Sequence, residues 1–129
     1  VLPCHLLVQN GEHGVRMVGF GCAETEGSPL RAVVTKFEGF YPPSMLARER
    51  VSGEADVVMS ARCIAYLLGG SGRGGEVPST VPAPLAELLD PTASEDGATR
   101  EDPWSLRKRL GELAKELFGP PAFHPIAMN

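Results

Sequence analysis

The strongest hydrophobic pattern lies near the end of the chain. Leu106, Leu110, Leu113 and Leu117 recur at i, i+4, i+7 and i+11, the spacing of one helical face. Asp102 stands where an N-cap is needed and Pro103 at the first helical position, and Trp104 is expected to open the apolar face. Lys108 and Glu112 can pair across one turn on the outside. Gly119, Pro120 and Pro121 stop the helix. A second stripe, Val57, Ala61, Ile64 and Leu68, widened by Val58 and Ala65, predicts a helix from Glu54 to Leu68. Ser52 is its candidate cap, and Glu54 and Asp56 sit where the helix dipole favours acids.

Upstream the period reads as two. Gly14–Ala23 is a predicted strand weakened by its glycines. Glu24–Pro29 carries turn residues. Leu30–Phe40 is a second predicted strand, with Val33, Thr35 and Phe37 on one face and Val34, Lys36 and Glu38 on the other. Two strands joined by a short polar link imply an antiparallel hairpin, beside which Leu2–Val8 can add a strand. Tyr41–Gly53, with Pro42 and Pro43, reads as a surface excursion holding at most one helical turn. Glu76 and Val77 suggest a short extended piece, and Pro82 or Pro84 starts a short helix through Leu89. Asp90–Asp102 is acidic and poor in aliphatic bulk, the composition of a flexible linker. The tail "AFHPIAM" can return as a last extended segment. The fold class expected is α+β: a two-layer sandwich, its small, mainly antiparallel sheet covered by the two helices.

Composition narrows the function classes. A chain of 129 residues with 43% apolar content suits one domain with a real core. Its formal charge of −4 is mild, and only Arg107–Arg109 forms a basic run, read as a solvated face. No nucleic-acid footprint is therefore expected. No apolar stretch reaches the roughly 20 residues of a membrane span, since Val57–Leu68 is interrupted by Ser60 and Arg62. Cys4, Cys22 and Cys63 are odd in number and widely spaced. They read as small, mostly buried hydrophobes in a reducing, intracellular setting, with the cytoplasm expected. The start at Val1, already apolar, reads as a fragment of a longer chain, and residues 1–129 as one domain.

The sequence offers no catalytic, cofactor-binding or metal-ligating residue. "AYLLGGSGRGGEVPST" follows an apolar helical run, so its glycines end a helix. A phosphate loop would need the reverse order of strand, glycines and helix. It reads as a terminator and flexible link, with Arg73 in solvent. "GFGCAE" begins like a dinucleotide fingerprint but has Glu24 at the third glycine, and no helix follows. His5, His13 and His124 are isolated, and Tyr66 borders an apolar face and reads as packing.

The order of elements resembles the C-terminal portion of saccharopine dehydrogenase-like oxidoreductases. The resemblance runs through "VRMVGFGCAE", "LRAVVTKFEGF", "SGEADVV", "GGEVPST" and "LRKRL", over residues 14–118. It implies NAD(P)-dependent redox chemistry in a parent protein whose nucleotide-binding domain lies upstream. This piece would be a substrate-side or dimerisation part, inert alone and binding no cofactor itself. The other reading is a non-catalytic α+β interaction module. Both readings expect the half-polar sheet face or a sheet edge to dock another domain of the parent or a second subunit.

Overall fold

The computed structural model describes residues 1–9, 14–47, 49–94 and 101–122. Strand β1 (Leu6–Val8) pairs antiparallel with β2 (Val15–Met17) in a two-stranded sheet. Four helices follow: the single turn α1 (Pro43–Leu46), then α2 (Gly53–Leu67), α3 (Ala83–Ala93) and α4 (Pro103–Phe118). The chain is thus a small α+β fold with an antiparallel sheet, the class its pattern predicts. The strand at β2 forms within its expected segment and stops at Gly19, whose φ of 81° turns the chain.

Its partner is not the one expected. Leu30–Phe40 is not a strand: Thr35–Phe40 folds as 3-10 turns, and β1, upstream, supplies the pairing. The physical reason is the spacing of Val34, Phe37 and Phe40. Residues three apart eclipse one another in a 3-10 turn, and the Phe37 and Phe40 rings meet edge to face at 5.8 Å. The segment after it is not a surface excursion either. Tyr41, Pro42 and Met45 are buried, and Tyr41 and Met45 join Leu2, Leu30 and Phe40 in one core cluster.

Helix α2 is the centre of the molecule. Ser52 caps it, its Oγ accepting from the Ala55 N–H at 3.3 Å. The other end closes when the Gly69 N–H donates to the Tyr66 carbonyl at 3.0 Å and the Gly70 N–H to the Ala65 carbonyl at 2.9 Å. That paired pattern needs a left-handed residue between them, and Gly69 supplies it at φ 95°. One face of α2, with Ala55, Met59 and Cys63, belongs to the N-terminal cluster. The other face meets α3: Ala61 packs with Leu85, Leu89 and Ala93, flanked by Ile64 and Leu68. The helices therefore cover one another more than they cover the sheet, which touches the core through Leu6.

Helix α3 runs four residues beyond its expected end. Leu85, Leu88, Leu89, Thr92 and Ala93 are all buried, an i, i+3, i+4, i+7, i+8 face. Pro91 is tolerated near the end, where few backbone bonds remain to be lost. The acidic stretch expected to be linker from Asp90 is helix as far as Ala93, and residues 95–100 lie outside the described part. So does 123–129, where the final extended segment was expected.

Helix α4 begins as predicted, Asp102 accepting from the Trp104 and Ser105 N–H groups at 3.0 and 3.1 Å. Its leucine stripe is only half-buried: Leu110, Leu113 and Leu117 rest on the α2–α3 cluster, and no residue of α4 is fully buried. Trp104, expected on the apolar face, is 76% exposed. Glu76–Val77, expected as a short extended piece, forms no strand.

Candidate functional site

The chemistry-bearing side chains are dispersed. His5 packs over Gly19; His13 and His124 lie outside the described residues. Among the described residues no group of three His, Cys, Asp or Glu side chains could hold a metal ion. The cysteines are not mostly buried as expected: Cys4 and Cys22 are exposed and Cys63 is buried, all three as free thiols. Burial pushes the Cys63 thiol up to about 11, against a lowering by the N-terminal ammonium, so little of it is the nucleophilic thiolate at neutral pH. Tyr66 packs edge to face on Phe40 at 5.6 Å, the structural role its position implied. Arg107 lies 6.0 Å from the Trp104 ring centre, Lys108 pairs with Glu112 at 3.9 Å and Arg109 with Glu101 at 2.5 Å, so all three basic-run residues have local partners on an exposed face.

The glycine-rich stretch ends a helix, as its order predicts, but it is not a loose link. Gly72 and Gly75 are buried. A β-carbon on Gly72 would enter the Phe40 ring, and one on Gly75 would overlap the Ala93 methyl. The loop is packed between the two ends of the core, and Arg73, although exposed, lays its side chain over Gly39.

One buried charge had no sequence signal beyond interrupting an apolar run. Arg62 is 5% exposed. Its Nε donates to the Ala93 carbonyl at 3.0 Å, and its Nη1 donates to the Tyr41 carbonyl at 3.0 Å and the Gly39 carbonyl at 3.4 Å. Ala93 is the last residue of α3, where the helix dipole favours a cation. The guanidinium thus joins α2, α3 and the 3-10 segment. These three bonds to backbone carbonyls give it a structural role.

What remains open is the sheet. In the β1–β2 ladder Leu7 faces Arg16, while Leu6 faces Met17 and Val8 faces Val15. The flanking bonds, Gln9 N–H to Gly14 carbonyl and Val18 N–H to His5 carbonyl, are both 2.9 Å. They fix the phase: residues 5, 7 and 9 exchange bonds with 18, 16 and 14, and the alternate residues point their backbone groups outward. On the β1 side the Leu6 N–H is taken by the Pro3 carbonyl. On the β2 side the N–H and C=O groups of Val15 and Met17 have no partner among the described residues. Apolar side chains accompany this bare edge: Val15 is 64% exposed, Met17 44%, and Val8, Val18 and Phe20 are exposed nearby.

No family model, curated protein or solved structure matches the chain. No helix among the described residues is long and apolar enough to cross a membrane.

Proposed function

We propose that this chain is a non-catalytic interaction module that docks a protein partner through β1 and β2. The bare β2 edge carries the reading. A two-stranded sheet alone is marginal in water, and an exposed edge beside apolar side chains is a template for another strand. The partner is another domain of a parent chain or a second subunit. Three free thiols, two of them exposed, favour an intracellular, reducing setting such as the cytoplasm.

The oxidoreductase reading is subordinate. Were the chain the C-terminal part of a saccharopine dehydrogenase-like enzyme, the partner would be the nucleotide-binding domain, and NAD(P) would bind there. One observation favours the docking reading over it. Thr35–Phe40, within one of the two strands in the resemblance, forms 3-10 turns.

Two measurements test the proposal. An environment-sensitive apolar dye should bind the chain, and a Val15→Ser/Met17→Ser variant of unchanged circular dichroism should lose most of that binding. Equal dye binding by both proteins would sink the docking reading. Titration calorimetry with NADH and NADPH should show no saturable binding; micromolar binding would restore the glycine stretch as a candidate site and overturn the non-catalytic reading.

A further inference from the structure

Resting on that reading, we infer that the β2 edge takes an extended segment whose central residue is acidic and whose flanking residues are apolar. The ladder phase dictates this pattern. A strand added antiparallel to β2 would exchange hydrogen bonds at Val15 and Met17, whose backbone groups point outward. Arg16 then falls at the non-hydrogen-bonded position between them, where facing side chains come closest, with Cα atoms about 4.5 Å apart. Arg16 is exposed and makes no ion pair among the described residues. Its nearest cross-strand neighbour is Leu7, which is uncharged. An Asp or Glu opposite it gains a cross-strand pair, and a Lys or Arg there is repelled. The residues on either side of that acid share a face with Val15 and Met17 and extend their apolar surface.

The same phase disfavours a second copy. Two β2 edges paired about their centre would set Arg16 directly against Arg16 of the other copy, a like-charge contact at the closest position. Arg16 acts there as the charged residue that protects an edge from its own kind, while leaving it open to a segment of opposite sign. The occupant is therefore a partner protein's apolar–acidic–apolar strand.

The test uses two capped seven-residue peptides of alternating valine and threonine, one with glutamate and one with lysine at the centre between two valines. Binding is followed by amide shifts of the whole chain in NMR titrations and by hydrogen exchange. The glutamate peptide should saturate, protecting the Val15 and Met17 amides, and should bind about tenfold more tightly than the lysine peptide. Arg16→Glu should reverse the preference without altering the fold, since Arg16 contributes nothing to the core. Equal binding of both peptides, protection at other residues, no binding by either, or a wild-type dimer in sedimentation that protects the Val15 and Met17 amides would each overturn the assignment. Retained dye binding with no peptide preference would overturn this inference alone and leave the docking reading standing.

Discussion

Helices α2 and α4 are nearly equal in length, 15 and 16 residues, and both begin at a side-chain cap. They are used in opposite ways. Helix α2 buries Ala55, Met59, Ala61, Arg62, Cys63 and Ala65, which lie around most of its circumference. Helix α4 has the cleaner stripe, Leu106, Leu110, Leu113 and Leu117, yet all four stay half-buried. The difference follows from position. A helix with neighbours on two sides buries residues on two faces, so small residues spread round it and the stripe blurs. A helix in the outermost layer has one neighbour, so its stripe stays sharp while its cover stays thin. A sharp amphipathic pattern therefore marks the direction of the core, not the depth of burial.

The contrast can be broken most directly at Arg62. Arg62→Met should remove the donors to Ala93, Tyr41 and Gly39 and leave those carbonyls without them. The loss expected is about 3 kcal/mol in urea unfolding; a loss under about 1 kcal/mol would show that α2 is not held through that charge. Next in size is Gly72→Ala, where φ is 71° and the new methyl meets Phe40. About 2 kcal/mol is expected from the left-handed backbone and the displaced ring together, and a neutral result would mean the glycine loop is not packed. Leu110→Ala should cost only about 1 kcal/mol, because half of a leucine's burial is at stake. A cost equal to that of a fully buried leucine would place α4 inside the core and end the comparison. Hydrogen exchange should report the same ranking, with α4 amides opening before those of α2.

The smallest effect concerns the α4 cap. The Ser105 hydroxyl and N–H, and then the Trp104 N–H, hold the Asp102 carboxyl below its ordinary value. A lowered folded value means the cap's contribution is present above the unfolded Asp value of about 3.9. It is lost as pH falls through the folded one. Wild type should therefore be more helical than Asp102→Ala at neutral pH, and the two should converge in acid. A helical difference that persists at low pH would contradict the carboxylate cap.

Local signals were legible in the sequence where one residue decides the outcome. Ser52 and Asp102 cap their helices, Gly69 ends α2, and the α+β class follows from mixed periods. The Leu30–Phe40 strand misled because Val33 to Phe37 satisfies a period of two and Val34 to Phe40 a period of three. Packing against Tyr41 and Met45 selects the second, and that information is not local. Asp90–Ala93 was hidden by acids and a proline, although Thr92 and Ala93 continue the α3 face. The bare sheet edge had a partial signal: the sequence implied an unpaired edge and a strand within Leu2–Val8, which forms as β1, but it also expected Leu30–Phe40 in the sheet. The tie that Arg62 makes to the Gly39, Tyr41 and Ala93 carbonyls had none, because these lie 21 to 31 residues away and carbonyls carry no residue identity.

Those separations also govern the order in which the molecule comes together. Arg62 can exchange water for its carbonyls only after the 3-10 segment has closed on one side of α2 and the end of α3 on the other. Each closure carries loop entropy that must be met before the guanidinium contributes. The tie is thus expected to form late, after the folding transition state, so Arg62→Met should speed unfolding in stopped-flow measurements and leave the folding rate almost untouched. Resistance to transient opening, rather than speed of assembly, is what a buried arginine at the meeting point of three segments confers.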